Sequence, residues 1–218
     1  QSSLMGLDVE LPWPFGKTSA EQKPLSIRTA TSHNGNSQTS VDFGNTIDME
    51  IDQIRRADGT KEAQRVEIVL GEDRPHFERQ SGLTMRGHIA RLPLNEWIAF
   101  AKTAASSAKS SGVELPISFD VDIDHLETLG RNFEAVSLVG AKRQATWKVD
   151  ISSSQALGTI IIPYGHSEKP LDLDFERLWL EKVHPENRTA RADPRAIPPI
   201  NLNCESLRFG NVDLGSIE

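Results

Sequence analysis

The chain has 218 residues, of which 37% are hydrophobic and only 6% aromatic, and its formal net charge at pH 7 is -7. This acidic balance excludes the basic surfaces that track nucleic-acid phosphates, so we expect no nucleic-acid partner. The single cysteine, Cys204, excludes an internal disulfide and a multi-cysteine zinc site. No run of eighteen apolar residues is present, so the sequence predicts no membrane-spanning helix.

Short segments in which apolar and polar residues alternate occupy much of the first ninety positions. A period of two is typical of strands that have one buried face. Two prolines at 12 and 14 interrupt the first alternating segment and predict a rigid connection. Strands are predicted near 25–28, 41–43, 47–51, 66–70 and 83–89, with an Ala-Asp-Gly hairpin turn at 57–59.

One segment has helical instead of strand spacing. Asn95 is a suitable N-cap, and it is followed by Trp97, Ile98 and several alanines at intervals of three and four residues. The pattern predicts a short α-helix near 95–109. Its narrow apolar stripe is suited to packing on a sheet edge or over one end of a groove.

Strands follow closely after this helix. The alternation predicts strands over 116–123, 125–128, 133–140, 144–151, 155–162 and 171–175. The phase of the alternation shifts at Leu178, which indicates a bulge or a new strand. Residues 184–199 are rich in proline and charge and are predicted to form a surface loop before the last strands at 200–217.

The predicted fold class is all-β. We expect an extended, curved antiparallel sheet, forming an open groove or half-barrel, with one short α-helix near 95–109. The whole of 1–218 is interpreted as a single β-rich segment of a larger protein. A subdivision into strands at 1–92, a helix at 93–112 and strands at 113–218 is possible from the pattern alone.

A strand–turn–strand unit recurs about eighty residues apart, at 116–136 and at 199–217. Leu126, Phe133 and Val136 of the first copy match Leu207, Leu214 and Ile217 of the second at a constant offset. A repeated hairpin of this kind extends a sheet. Because the second copy ends at the last residue, we expect the sheet of the parent protein to continue past Glu218, with an edge-to-edge dimer as another outcome for the isolated segment.

Motifs that carry catalysis or bind cofactors are missing or incomplete. The Gly16-Lys-Thr18 sequence has Leu11 where a phosphate-binding loop requires glycine. Asp120, Asp122 and Asp124 alternate along a strand, which predicts a solvated face and not a calcium loop. The six histidines form no recognisable pair, and the Asn187 sequon matters only in a eukaryotic secretory context. We therefore expect no enzymatic activity, no metal and no cofactor.

The apolar stripes of the strands are the remaining candidates for function. In any one strand, ordinary sheet core is the simplest interpretation. Many stripes with few helices to cover them require another cover, which is a second sheet, a helix or an apolar ligand. The residues expected to line an apolar concave face are Ile117, Phe119, Val121, Ile123, Trp147, Val149, Ile151, Leu171, Leu173, Phe175, Ile200 and Leu202.

Three passages, in order, resemble the YhdP-type AsmA-like proteins of Gram-negative bacteria. They are Gly6-Leu-Asp-Val-Glu-Leu-Pro-Trp-Pro-Phe-Gly-Lys-Thr18, Gly82-Leu-Thr-Met-Arg-Gly-His-Ile-Ala-Arg-Leu-Pro-Leu-Asn-Glu-Trp97, and the closing stretch from Ile197 to Ile217. Asn95 stands where the family often has Asp, a change that keeps the helix cap. The passages extend over nearly the whole chain.

The resemblance implies a segment of a large periplasmic protein anchored in the inner membrane. Its expected function is transport of phospholipids between the inner and outer membranes, with acyl chains in an apolar groove and head groups in water. The expected partners are phospholipid acyl chains and the rest of the parent polypeptide. The alternative is a non-catalytic structural or interaction β-sandwich of an envelope protein. A secreted polysaccharide-acting enzyme is a third and weaker alternative, because no carboxylate pair can be placed.

Overall fold

The computed structural model describes residues 1–44, 46–71, 75, 81–107, 116–128, 130–144, 146–163, 169–181 and 199–218. Twelve strands and one helix, α1 (Leu94–Ser107), are present in these ranges. The strands are β1 (Leu25–Thr31), β2 (Ser37–Phe43), β3 (Ile47–Arg55), β4 (Lys61–Leu70), β5 (Gly82–Pro93), β6 (Ile117–Thr128), β7 (Arg131–Arg143), β8 (Thr146–Ser152), β9 (Ala156–Pro163), β10 (Leu171–Leu180), β11 (Ile200–Phe209) and β12 (Val212–Ile217).

All twelve strands belong to one unclosed sheet, and their hydrogen-bonded order follows their order in the chain. This confirms the predicted all-β class with one short helix. The described strands include no second sheet of the kind that a sandwich needs. The sheet is mixed and not purely antiparallel, because β4 pairs with β5 and β10 with β11 in parallel.

Contacts divide the chain into two compact units. The first contains Gln1–Ile89 and Ala99–Val121, and the second contains Ala90–Ile98 and Asp122–Glu218. The strands β5 and β6 contribute residues to both. Each unit has its own buried residues, among them Ile47, Val69 and Leu70 in the first and Ile123, Val136 and Cys204 in the second.

Local sequence explains most of the turns and irregularities. The predicted Ala-Asp-Gly turn joins β3 to β4, and Gly59 adopts the positive φ of 86° that the turn requires. The phase shift at Leu178 is a bulge inside β10, where the pairing with β9 shifts between Phe175 and Arg177. The two strands predicted at 116–123 and 125–128 form one continuous β6.

The helix begins one residue earlier than its predicted cap. Leu94 is already helical, so Asn95 lies in the first turn and Pro93, the last residue of β5, precedes the helix. Proline lacks an N–H group and cannot continue a ladder, so it is suited to this strand-to-helix change. The predicted loop at 184–199 and the Asn187 sequon lie outside the described residues, apart from Pro199.

Candidate functional site

Apolar side chains form continuous rows across the strands of the second unit. Val149 pairs with Ile160, Ile160 with Leu173, and Leu173 with Leu202, so this row crosses β8 to β11. Because paired residues point to the same side of a sheet, the register defines one face. The apolar face of the second unit comprises Trp147, Val149, Ile151, Ile160, Ile162, Leu171, Leu173, Phe175, Ile200, Leu202 and Cys204.

Burial changes along this face from one end of the strands to the other. Phe175 is 5% exposed and Cys204 is fully buried, so the row at their level is part of the core. At the opposite end Ile162 is 37% and Ile200 is 47% exposed. Trp147, Leu171 and Leu173 are half-buried. The face therefore has a closed end, which is packed, and an open end, which presents apolar surface to solvent.

The short β8–β9 turn produces the closed end. The Gln155 carbonyl accepts from the Trp179 N–H at 2.7 Å, and its side-chain Oε1 accepts from the Glu134 N–H at 3.0 Å. Arg131 donates through Nε to the Glu181 carbonyl at 3.0 Å. These bonds join the start of β7 to the end of β10 across the turn, so the sheet curves within the second unit.

Gly158 allows Phe175 to pack closely on this face. A Cβ on Gly158 would lie 2.3 Å from the Asp174 carbonyl oxygen and 2.8 Å from Cδ1 of Phe175. Only glycine leaves this space free. Gly158 shares its row with Ile151, Phe175 and Cys204, which are buried because of this close approach.

Eight of the twelve residues expected on an apolar face share the face just described. They are Trp147, Val149, Ile151, Leu171, Leu173, Phe175, Ile200 and Leu202. The other four lie in β6, where Ile117, Phe119 and Val121 belong to the first unit and Ile123 to the second. Val121 and Ile123 are buried, whereas Ile117 and Phe119 are half-buried.

The expectation missed several residues that the register adds to this face. Ile160 and Ile162 belong to it, and Leu138, which pairs with Ile151, extends it onto β7. The long aliphatic run at 160–162 hid the alternation, because Ile161 between them points to the opposite side, where it pairs with Asp172. The alternating strands β8 and β10 show which side Ile160 and Ile162 occupy, but only when their pairing with β9 is known.

The first unit has an apolar face of its own. One row joins Ile27, Val41, Met49, Ile68 and Met85 across β1 to β5. Neighbouring rows on the same side contain Phe43, Ile47, Ile51, Val66, Leu70 and Leu83. Ile27 is exposed at the β1 edge of this face, whereas Ile47 and Leu70 are buried.

The opposite side of the second unit is mainly polar, although the exposed Ile161 and Val139 also lie on it. Asn201 donates to Asp172 and Asn203 to Asp174, each at 2.8 Å, across the parallel strands. Asp150 accepts a 2.6 Å hydrogen bond from Thr159, which lowers the pKa of its carboxyl. Asp122 and Asp124, and Asp120 in the first unit's part of β6, are exposed, as predicted for a solvated strand face. Wet carboxylates on one side and aliphatic groups on the other give the sheet two chemically distinct surfaces.

Comparison with known families shows to which protein family the chain belongs. The family model described as YhdP protein matches residues 1–218. The chain belongs to the YhdP protein family. This confirms the resemblance in the sequence and places the chain among AsmA-like envelope proteins. No curated protein and no solved structure matches the chain significantly.

The first passage that carries the YhdP resemblance is held together by a buried lysine. Lys17 is 6% exposed, and its Nζ donates to the carbonyls of Leu4 (2.9 Å), Leu7 (2.5 Å) and Thr18 (2.8 Å). Backbone bonds in both directions also join Lys17 to Val9. Three carbonyls saturate the ammonium group, which leaves none of its donors for a nucleotide phosphate. The Gly16-Lys-Thr18 sequence of this YhdP-family chain is therefore structural.

A cleft of about 630 Å³ runs beside residues 200–203 of β11. Within the described residues, β12 pairs with β11 from Cys204 onward, and residues 200–203 pair with β10. The lining combines apolar and polar groups: Asp172, Leu173, Asp174, Ile200, Asn201, Leu202, Asn203, Ile217 and Glu218. The open end of the apolar face thus adjoins an accessible cleft.

Other classes of site are not found in the part of the chain that the structure describes. No group of three or more His, Cys, Asp or Glu side chains there is arranged to hold a metal ion. None of the described helices is long and apolar enough to cross a membrane.

Charged side chains cluster on the polar side of the first unit. Arg86 pairs with the buried Glu67 at 2.8 Å, and Arg65 pairs with Asp52. Glu50 lies between these pairs and accepts a 2.6 Å hydrogen bond from Gln38. Partial burial raises the pKa of Glu50, and the carboxylates of Asp52 and Glu67 raise it further against the opposing effect of Arg65.

This raised pKa predicts a pH-dependent effect of the Glu50→Gln substitution. The folded state binds the Glu50 proton more tightly than the unfolded chain, so wild-type stability falls as pH rises through the folded pKa. Glu50→Gln should therefore be more stable than wild type at pH 7, by less than about 0.5 kcal/mol because solvent screens a half-exposed charge. Below the unfolded pKa of about 4.3 the difference should vanish.

Urea unfolding followed by circular dichroism measures the difference in free energy of unfolding between the variant and wild type at pH 7 and at pH 4. Glu62→Gln is the matched control with the opposite sign, because a hydrogen bond from Arg56 lowers the pKa of Glu62. That variant should lose stability at pH 7 and not gain it. A Glu50→Gln variant that is less stable than wild type at pH 7 would contradict the raised pKa of Glu50.

Proposed function

We propose that this chain is a lipid-carrying segment of an envelope protein and that its apolar sheet faces hold phospholipid acyl chains. The observation that carries the proposal is the open end of the second unit's apolar face. Ile162 and Ile200 remain exposed there beside half-buried Trp147 and Leu173. Monomeric soluble proteins rarely leave a contiguous apolar surface uncovered without a use for it.

The chemistry of the face is suited to hydrocarbon. Its side chains offer almost no hydrogen-bonding groups, so affinity would come from removing methylene groups from water at about 0.8 kcal/mol each. Such a surface does not distinguish one acyl chain from another. Membership of the YhdP family supports the proposal.

The proposed location is the periplasm, where the segment would be part of a protein anchored in the inner membrane. Phospholipids would move along the apolar faces between the inner and outer membranes without any covalent step. Acyl chains would be the ligands and the remainder of the parent polypeptide the structural partner. No enzymatic activity is part of this proposal.

Site-specific photocrosslinking tests the proposal at single-residue resolution. A photoreactive phenylalanine analogue at position 173 should crosslink phospholipid in Gram-negative cells, because Leu173 lies on the apolar face. The same analogue at position 174 is the matched control, since Asp174 points to the opposite, wet side and bonds Asn203. We expect at least about tenfold more lipid adduct at 173, as two sides of one strand have separate environments.

Equal yields at 173 and 174, or no adduct at 173 in a folded protein, would contradict the lipid assignment. Native mass spectrometry then addresses the alternative of a structural or interaction module. Co-purifying phospholipid supports lipid carriage, whereas a lipid-free monomer supports the structural module.

A further inference from the structure

The apolar face of the first unit ends in a group of polar side chains at the β1–β2 and β3–β4 turns. Along β2 the residues on this side change from Val41 through Thr39 to Ser37. Along β3 they change from Ile51 to Gln53 and Arg55. We name the group formed by Ser37, Gln53, Arg55 and Lys61 the polar corner.

Hydrogen bonds and register show that the members of the polar corner point to the same side. The Ser37 hydroxyl donates to Oε1 of Gln53 at 3.1 Å, and Nζ of Lys61 donates to the Ser37 Oγ at 3.1 Å. Ser37 is only 5% exposed, so a buried hydroxyl holds the side chains of Gln53 and Lys61 in place. Ser37 pairs with Gln53, and Arg55 pairs with Lys61, in the ladders of β2, β3 and β4.

The β1–β2 turn holds Arg55 in place. A Cβ on Gly35 would lie 2.6 Å from Cδ of Arg55, so the aliphatic stem of the arginine packs directly on the turn. The Arg55 N–H also donates to Oδ1 of Asn36 at 3.0 Å. The backbone and stem are thereby fixed, and the guanidinium group lies over the β1–β2 and β3–β4 turns, where a Cβ on Gly35 or Gly59 would be 3.4 Å or 3.7 Å from its nitrogens. Arg55 is exposed there.

The two cations of the polar corner have no counter-ion among the residues that the structure describes. Arg56, Arg65 and Arg86 of the same unit are each paired with a carboxylate. Within the described ranges neither Arg55 nor Lys61 forms an ion pair, although they lie directly opposite each other on neighbouring strands. Like charges in that position destabilise a strand pair, and a bound anion would remove the repulsion.

We propose that the polar corner binds the phosphate of a phospholipid whose acyl chains lie on the apolar face of the first unit. A guanidinium binds two phosphate oxygens at once, and an ammonium group adds a point charge. The apolar residues begin beside the corner and continue along β3 to Ile47, roughly 20 Å away at 3.4 Å per residue. This inference rests on the proposed function, because it assigns the head-group end of the same lipid.

Equilibrium binding of two lipids that differ only in the head group tests the inference. The probes are phosphatidylglycerol and diacylglycerol with the same fluorescent acyl chain, presented to the chain in the same neutral detergent. The Arg55→Gln/Lys61→Gln variant should bind phosphatidylglycerol about tenfold more weakly, since charge-assisted hydrogen bonds are lost. Its affinity for diacylglycerol should stay within about twofold of wild type, the scale of a neutral surface change.

Arg28→Gln/Lys148→Gln is the matched control, because it also removes two positive charges from exposed residues. Each of these residues lies on the side of its unit that faces away from the apolar face. It should leave both affinities unchanged. Unchanged phosphatidylglycerol affinity in the corner variant would overturn the head-group site while the acyl-chain proposal stands. Equal losses for both lipids would also overturn it, since no charge is then recognised. Wild-type protein that binds neither lipid would refute the proposed function itself.

Discussion

Alanine at position 158 should lower the free energy of unfolding of the second unit by about 3 kcal/mol, the upper range for overpacked cores. The added Cβ would meet the Asp174 carbonyl oxygen at 2.3 Å and the Phe175 Cα at 2.7 Å. Both contacts are with backbone, which cannot move without breaking the β9–β10 ladder. Urea unfolding followed by circular dichroism measures the loss.

Two further variants show whether the backbone causes this effect. Thr159→Ala changes the next residue, on the wet side, and removes only an exposed hydrogen bond to Asp150, so it should cost about 1 kcal/mol. Phe175→Leu combined with Gly158→Ala should not restore stability, because the Asp174 contact persists. Full restoration would show that the Phe175 ring, and not the backbone, opposes the methyl group.

Lys17→Met should lower the free energy of unfolding by about 3 kcal/mol. The substitution keeps the apolar stem but leaves the carbonyls of Leu4, Leu7 and Thr18 without their donor. Hydrogen bonds to a charged group contribute about 1.5–3 kcal/mol each, and buried acceptors left unpaired are costly. Limited proteolysis within 1–20, together with urea unfolding, reports the loss of order.

Lys148→Met is the comparison for Lys17→Met. Lys148 is exposed and its Nζ donates to Asp150 at 3.3 Å, so its loss should change stability by less than about 0.5 kcal/mol. If the Lys17 variant unfolds at the wild-type urea concentration, the structural role of this lysine is wrong. A phosphate-binding role would then regain support.

Alternation along the sequence predicted the strands because a period of two reports which side of a strand is apolar. The bulge in β10 was predictable for the same reason, since Leu178 breaks the phase set by Leu171 and Leu173. The parallel pairing of β10 with β11 was not, because a strand's own pattern contains no information on its neighbour's direction. The same limit applies to β4 and β5.

The candidate site was predictable in outline and not in extent. Trp147, Val149, Leu171 and Leu202 share a face because the sheet places their stripes side by side in register. Whether a residue on that face is buried or exposed depends on the curvature of the sheet at the β8–β9 turn. The alternation of apolar and polar residues does not predict this curvature. The polar corner was missed because Ser37 and Gln53 continue the phase of the apolar stripe with polar side chains.

The short β8–β9 turn and the long β10–β11 connection differ in how many inserted residues they can accept without disturbing the apolar face. The tight turn between β8 and β9 fixes their register, so one inserted residue there would move every following side chain to the other side of the sheet. β10 and β11 run in parallel at a constant offset, and the chain between them extends over 181–199. Because closing a longer connection costs little, insertions between 181 and 199 can accumulate during evolution while Leu173 stays beside Leu202.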